Sequence, residues 1–169
     1  MAAMAPGVRH TYERLVRRCL EEAHRVYGER LVSFAVFGSV GRGVPRPDSD
    51  VDLLLVVEDL PRGRVRRLET FEPVEDAVEG DLRAASKAGV RASLSPVLLT
   101  PEEAARKIPL FLDMTEDARI LYDRGGFFAR ILSELQHRLR ELGARRIPYG
   151  GAWYWRLKDP FRPGEEFEL

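Results

Sequence analysis

The sequence predicts a domain of the α/β or mixed α+β class, in which a small mixed β-sheet is flanked by helices. Residues 31–37 and 51–57 are short runs of β-branched, aliphatic and aromatic side chains, which are typical of buried strands. Longer segments before and after these runs repeat apolar residues every three or four positions, which is typical of amphipathic helices. The chain of 169 residues is also long enough to bury one continuous core.

The first half of the chain contains two helix patterns. Residues 12–27 predict an amphipathic helix that ends near Gly28, and Cys19 lies on its apolar face. A buried thiol in the core is therefore favoured over a reactive one. Residues 61–88 predict a second helix, which is bent or interrupted near Pro73 because proline lacks the amide hydrogen that a helix interior uses.

The second half predicts one further strand and a helical cap. Residues 90–99 read as the third strand, and Thr100 is well suited to cap the helix that follows. Residues 109–121 are apolar enough to be largely buried, and 128–142 predict an amphipathic helix. Residues 144–169 form a tail rich in glycine, proline and aromatic residues. The expected division is a core with its N-terminal helix over 1–100 and a helical extension with an aromatic tail over 101–169, packed as one unit.

Composition excludes several function classes. Lys plus Arg and Asp plus Glu number 27 each, so the net charge is zero and there is no strong nucleic-acid signal. Cys19 is the single cysteine, which excludes an internal disulfide and a multi-cysteine zinc site. No apolar run approaches the roughly 20 residues of a membrane span, and the first residues lack a signal-peptide pattern. We expect a soluble, cytoplasmic protein without membrane association.

Residues 37–56 hold the most informative pattern, and three familiar glycine-rich motifs do not explain it. A Walker A loop is excluded because Val44 follows Gly43 where that loop needs lysine. A dinucleotide-binding fingerprint is excluded because no third glycine follows Gly43 at the required spacing. A serine-hydrolase elbow is excluded because Phe37 stands two positions before Ser39, where the elbow needs glycine.

What remains is a pair of carboxylates at the start of the second strand. Asp50 and Asp52 are two residues apart, so strand geometry places both side chains on one face, with Cα atoms about 6 to 7 Å apart. Two carboxylates so placed repel each other and are costly to bury without a partner. Because hard Mg²⁺ binds carboxylate and phosphate oxygens together, the pair predicts a metal site that also handles a phosphate group.

The turn after the first strand supplies the phosphate side of this prediction. Gly38 allows close approach of the backbone, and the amide and hydroxyl of Ser39 can donate hydrogen bonds to phosphate oxygens. Arg42 lies in the loop where an incoming triphosphate would be met, although a solvated role suits this arginine as well.

This segment resembles the nucleotidyltransferase superfamily of DNA polymerase β, in particular its minimal (MNT) members. Those proteins carry Gly-Ser, ten residues, and Asp-x-Asp, and here Gly38 and Ser39 are followed by residues 40–49 and then by Asp50 and Asp52. The resemblance covers about 20 residues. It implies transfer of a nucleoside monophosphate from an NTP, with ATP as the expected substrate, to a hydroxyl, with release of pyrophosphate. It implies that Gly38 and Ser39 bind the triphosphate, and that Asp50 and Asp52 are the catalytic Mg²⁺ ligands.

One departure from the family pattern concerns a third carboxylate, which many members carry on a neighbouring strand. The corresponding strand here offers Ser93 and Ser95 on one face but no Asp or Glu. Three explanations stay open: activity is weak or absent, the base comes from elsewhere, or the acceptor's own partner completes the site. The nearest acids in the sequence are Asp113, Glu116 and Asp117.

Three functions follow from the resemblance. The first is a free-standing nucleotidyltransferase that acts on a small molecule or on a protein hydroxyl. The second is an MNT-type antitoxin that neutralises a helical HEPN-type partner by binding it or by adding AMP to it. The third is a catalytically degenerate nucleotide-binding module. A homo-oligomer is left open. Trp153 and Trp155 would share a face of an extended segment and could stack on a base, but packing of the tail on the core is favoured.

Overall fold

A mixed four-stranded sheet forms the centre of the computed structural model, which describes residues 6–158. The strands are β1 (Leu31–Phe37), β2 (Asp50–Val57), β3 (Ser93–Leu99) and β4 (Arg119–Asp123), in the order β3-β2-β1-β4. Strand β1 is antiparallel to β2 and β4, whereas β2 and β3 are parallel. The predicted mixed sheet is therefore confirmed, and it brings the start of β2 alongside the start of β3.

Helices cover both faces of this sheet. Two long helices pack on one face, namely α1 (Pro6–Tyr27) and α3 (Arg64–Lys87). The other face carries α4 (Pro101–Ala104), α5 (Leu110–Asp117) and α6 (Phe127–Glu141). A one-turn helix, α2 (Gly38–Gly41), directly follows β1.

The alternation of side chains along β2 places the two acids on the second face. Val51, Leu53 and Leu55 join the apolar cluster beneath α1 and α3. Leu54 joins the cluster that contains residues of α5 and α6. Because side chains two apart in a strand share a face, Asp50 and Asp52 lie on the same face as Leu54. The start of β2 therefore presents both carboxylates toward the α5 side of the sheet.

Helix α3 corrects one expectation from the sequence. A bend or an interruption near Pro73 was predicted, and the interruption is absent, because the helix runs continuously from residue 64 to residue 87. Phe71, Val74 and Val78 are fully buried around the proline and pack in the cluster that α1 also joins. This apolar burial is worth several kcal/mol in total, which offsets the roughly 3 kcal/mol that an internal proline costs a helix.

Strands in the C-terminal part were not predicted. Strand β4 lies in a segment for which the sequence predicts only helices and burial, yet it pairs with β1 in the central sheet. A separate hairpin is formed by β5 (Arg145–Tyr149) and β6 (Ala152–Arg156) within the predicted tail. The rest of that tail, from residue 159 onward, lies outside the described residues.

Several smaller expectations are confirmed. Cys19 is fully buried, and burial raises the pKa of its thiol to about 12. Thr100 caps α4 in a reciprocal capping box with Glu103. The predicted third strand is confirmed as β3, but it begins at residue 93 rather than at residue 90. The amide of Arg91 donates a hydrogen bond to the carbonyl of Pro47 at 2.6 Å instead of pairing with β2. Among residues 6–158, none of the helices has the length and apolar character needed to cross a bilayer.

Candidate active site

The turn after β1 brings backbone and carboxylate into close contact. Gly38 has a φ of +64°, in the left-handed region that glycine tolerates best. A Cβ at this position would overlap the carboxylate of Asp52. Gly41 is equally confined, because a Cβ there would lie 2.9 Å from the carbonyl oxygen of Val36. Glycine at position 38 therefore lets the turn approach Asp52 of β2, and Gly41 lets it pack closely against the backbone of β1 and α5.

Hydrogen bonds fix residues 46–49 of the loop between α2 and β2. The buried Tyr12 donates its hydroxyl to the carbonyl of Ser49 at 2.8 Å, and the amide of Arg46 donates to Ser49 Oγ at 2.8 Å. The Arg91 amide holds the carbonyl of Pro47 from the β3 side. These contacts deliver the chain into β2 at a defined position, so the carboxylates that follow are well placed.

Asp50 and Asp52 each face a serine of the parallel strand β3. The register pairs Asp50 with Ser93 and Asp52 with Ser95. The hydroxyl of Ser93 donates a short hydrogen bond to Asp50 Oδ1. Burial and the neighbouring charge of Asp50 raise the pKa of Asp52, against smaller lowering effects of a hydrogen bond from Ser95 and of the charge of Arg42. The serines therefore orient the carboxylates without neutralising them.

This donor set fits a divalent cation. Asp50 and Asp52 lie side by side on one face, and Asp52 is half-buried with a raised pKa. A bound cation would offset both the repulsion between the two carboxylates and the cost of burying the charge of Asp52. Within residues 6–158 no cluster of three or more His, Cys, Asp or Glu side chains is arranged to hold a metal alone. A bound Mg²⁺ would therefore need further oxygen ligands from water or phosphate, as this ion usually does.

All five predicted site residues line one open cleft of about 550 Å³. That volume lies in the range typical of small-molecule sites. The turn contributes Gly38, Ser39 and Arg42, and β2 contributes Asp50 and Asp52. The opposite wall comes from α5 and from Trp153 of the hairpin. The motif residues, which span about 15 positions of the sequence, therefore form one side of the cleft. The other side comes from α5 and the hairpin, which the motif alone does not predict.

A nucleotidyltransferase domain family model matches residues 15–122, which is well over half of the chain and contains the whole motif. This chain belongs to the nucleotidyltransferase domain family. It is 30% identical over 119 residues to a protein of Methanocaldococcus jannaschii that carries the provisional name of a protein adenylyltransferase, with 69% of this chain and 76% of that protein covered.

Two solved structures match the nucleotidyltransferase more distantly. One is a chain of an MntA–HepT toxin–antitoxin complex, with a TM-score of 0.45, 16% identity, and 75% of this chain and 91% of that chain covered. The other comes from a Shewanella oneidensis complex of an MNT antitoxin with a HEPN toxin that carries three AMP groups. Its TM-score is 0.43, with 14% identity and 78% and 92% coverage. Similarities of this size decide nothing about reaction or partner.

The acids proposed as alternative bases lie on α5, where arginine engages all three of them. Arg146 Nη1 donates to Glu116 at 3.0 Å, and Arg146 Nη2 donates to Asp117 at 2.8 Å and to Asp113 at 3.1 Å. Burial would raise the pKa of Asp113, but hydrogen bonds from Trp155, Trp153 and Arg146 outweigh it and the pKa is lowered. Asp113 is therefore a poor proton acceptor.

Arg42 of the nucleotidyltransferase has a partner within the chain. Its Nη1 donates to Asp117 Oδ2 at 2.7 Å, and its guanidinium carbon lies 5.1 Å from the ring centre of Trp153. The side chain is still one-third exposed and lines the cleft. Arg42 thus stands beside the predicted phosphate site, but any contact with a triphosphate would compete with Asp117.

Arg146 is the residue that sequence reasoning missed. The signal for it was weak, because 144–169 reads as an irregular tail in an arginine-rich chain. The spacing of Trp153 and Trp155 was a better clue, since alternate aromatic residues are typical of a strand with one covered face. Pairing of β5 with β6 places Arg146 opposite Trp155, which creates the element that closes the cleft.

Proposed function

We propose that this nucleotidyltransferase transfers AMP from ATP to a hydroxyl group of a protein, with Mg²⁺ held by Asp50 and Asp52 and with release of pyrophosphate. The observation that carries the proposal is the unneutralised carboxylate pair lying next to the Gly38 turn in one cleft. The provisional name of the Methanocaldococcus jannaschii relative supports the choice of AMP and of a protein acceptor over a small molecule.

Each residue of the pair and the turn then has a role. Asp50 and Asp52 provide the carboxylate oxygens for Mg²⁺, while Ser93 and Ser95 hold those carboxylates in orientation. A bound Mg²⁺ supplies positive charge that offsets the charge developing on the phosphate oxygens. Ser39 donates from its amide and hydroxyl to the triphosphate, as Gly38 keeps the backbone close to the carboxylates.

The transfer step conserves atoms and charge. The acceptor hydroxyl oxygen bonds to the α-phosphorus, the bond from that phosphorus to the oxygen bridging to the β-phosphate breaks, and pyrophosphate leaves. The proton of the hydroxyl passes to water or to a base of the acceptor protein, because the acids of α5 are held by arginine. Absence of a dedicated base typically costs a factor of about 10² to 10⁴ in rate, so we expect a slow transferase.

Two measurements test this function. The first is calorimetric titration of the full chain with each NTP, with and without Mg²⁺, and we expect binding of ATP that needs the metal. The second is incubation with ATP labelled at the α-phosphate and an extract of the cells from which the protein comes, with label expected in a protein band. An Asp50→Asn/Asp52→Asn double variant serves as the control. Equal labelling by wild type and double variant would contradict the proposal.

The same measurements separate the other two hypotheses. An antitoxin function predicts that the labelled protein co-purifies stably with this chain and is a small helical protein of the HEPN type. A degenerate binding module predicts metal-dependent ATP binding without label transfer or pyrophosphate release. Both hypotheses stay predictions of the sequence motif, and the transferase is preferred over the degenerate module because the carboxylate pair is intact.

A further inference from the structure

The β5–β6 hairpin is anchored to α5 by a compact polar network beside the cleft. Arg146 reaches Asp113 and Asp117 on α5, and its side chain is 18% exposed. Asp117 is almost fully buried, with 6% of its surface exposed, and it also accepts from Arg42. Partly buried charged hydrogen bonds of this kind hold an element in one orientation. The hairpin is therefore a fixed wall of the cleft.

The two tryptophans of this hairpin have different environments. Both indole nitrogens donate to Asp113 Oδ1, Trp153 at 3.0 Å and Trp155 at 2.9 Å. Trp155 packs against the apolar cluster of α5 and α6. Trp153 is instead 38% exposed and lines the same cleft as Ser39 and Asp52. Packing accounts for Trp155, whereas more than a third of Trp153 stays exposed where this residue lines the cleft.

The ring of Trp153 is held before any ligand arrives. The guanidinium carbon of Arg146 lies 4.0 Å from its ring centre and that of Arg42 lies 5.1 Å away. Its one hydrogen-bond donor is satisfied by Asp113. An aromatic surface that is fixed in place loses little conformational entropy when a flat ligand stacks on it. Purine and pyrimidine rings are ligands of this kind.

We propose that Trp153 is the platform on which the nucleobase of the bound nucleotide stacks, so that the C-terminal hairpin forms the base subsite of this nucleotidyltransferase. The platform rests on the proposed function, which places the triphosphate at Gly38 and Ser39. Arg42 connects the proposed triphosphate site with the proposed base site, since it directly follows α2 and contacts the ring of Trp153. One ligand with a triphosphate at one end and an aromatic base at the other matches this arrangement.

The affinities of the full chain for two ligands, both measured in Mg²⁺, distinguish the contribution of the base from that of the phosphates. ATP carries both parts, whereas inorganic tripolyphosphate carries only the phosphate part. In Trp153→Ala we expect the Kd for ATP to rise about tenfold, and the Kd for tripolyphosphate to change by less than about twofold. Trp153→Phe keeps an aromatic ring and should retain most of the affinity for ATP.

Fluorescence provides a second readout that a structural role of the hairpin would not produce. The chain has two tryptophans, so Trp155→Phe leaves Trp153 as the only one. We expect ATP to quench the emission of this variant, with tripolyphosphate having little effect. In the matched variant Trp153→Phe, where Trp155 is the only tryptophan, ATP should leave the emission nearly unchanged.

Three outcomes would overturn the platform. The first is equal affinity for ATP in wild type and Trp153→Ala. The second is equal loss of ATP and tripolyphosphate binding in Trp153→Ala, which would show that the side chain only supports the fold. The third is unquenched Trp153 emission at saturating ATP. If the wild-type chain binds neither ligand, the proposed function fails along with the platform, whereas ATP binding that ignores Trp153 removes the platform alone.

Discussion

Two pairs of aspartates face the same cleft, but the chain treats them in opposite ways. Asp113 and Asp117 on α5 receive hydrogen bonds from Arg146, and the pKa of Asp113 is lowered. Asp50 and Asp52 on β2 receive hydrogen bonds from neutral serines, and burial together with Asp50 raises the pKa of Asp52. The first pair is satisfied within the fold, whereas the second remains short of positive charge.

This difference separates the carboxylates that support the fold from the pair that we propose binds Mg²⁺. The α5 acids stabilise the protein by anchoring the hairpin, so their charge is already compensated. On β2, the raised pKa of Asp52 shows that its charged form lowers the stability of the free protein, and such a cost is expected where a ligand supplies the missing interaction. Four variants can break or sharpen this comparison.

The largest expected effect is on catalysis. Asp52→Asn should reduce AMP transfer by at least about 10³-fold, because the site loses one of the two carboxylates proposed to bind Mg²⁺. Glu116→Gln on α5 is the matched control and should stay within about twofold of wild type. Transfer of α-labelled AMP measures both, with circular dichroism to confirm folding. A large loss in Glu116→Gln would instead identify this residue as the missing base.

Gly38→Ala tests the close approach of the turn to the carboxylate pair. The new Cβ would overlap Asp52 and also force a left-handed backbone on alanine, so we expect a loss of roughly 2 to 3 kcal/mol in the free energy of unfolding. Gly43→Ala is the control, since Gly43 also has a positive φ of +75° but has its nearest side-chain atom 3.7 Å from a Cβ. It should lose about 1 kcal/mol. Urea unfolding measures both, and equal losses would show that the clash is relieved elsewhere.

Arg146→Met tests how much the hydrogen bonds from this arginine to Asp113 and Asp117 stabilise the protein. Removal of the guanidinium leaves the nearly buried Asp117 with Arg42 alone, and we expect a loss of about 1 to 2 kcal/mol in the free energy of unfolding. Hydrogen exchange of residues 145–156 should speed up in parallel. Arg145→Met, at the exposed neighbouring position, should change neither quantity measurably. Unchanged exchange in Arg146→Met would mean that the tryptophans alone hold the hairpin.

The smallest expected effect is a change in Tm at neutral pH, which should have opposite signs for a substitution in the β2 pair and one in the α5 pair. A raised pKa for Asp52 means that the folded protein loses stability as pH rises from the ordinary value of 3.8 through the folded value. Asp52→Asn should therefore raise the Tm at neutral pH, by about 1 to 2 °C in metal-free buffer, and the gain should shrink on acidification.

Asp113 should behave in the reverse manner, because its lowered pKa contributes stability that is present above the ordinary value of 3.8 and is lost as pH falls through the folded pKa. Asp113→Asn should lower the Tm at neutral pH, and the difference from wild type should shrink on acidification. Calorimetry from pH 3.5 to 7 follows both variants, and Tm changes of the same sign would contradict the contrast between the pairs.

Local pattern was enough to predict much of the fold. Strand β1 is confirmed over 31–37, and β2 begins only one residue before its predicted start. Strand β4 was not predicted because its partner lies far back along the chain, with Tyr122 opposite Phe34. The hairpin was not predicted because both of its strands are short and one of them, β5, contains Pro148, a residue that is unfavourable in most strands.

The sequence by itself determined the chemistry expected of this nucleotidyltransferase. Strand geometry places Asp50 and Asp52 on one face, which predicts a metal site that handles phosphate. The resemblance carried by Gly38, Ser39 and this pair adds the expectation of nucleotidyl transfer. Only the tertiary structure decided which other acids are neutralised and which tryptophan faces the cleft. Those outcomes depend on contacts between residues 29 to 42 positions apart, from Arg146 to Asp117 and from Trp155 to Asp113, and no local pattern encodes such contacts.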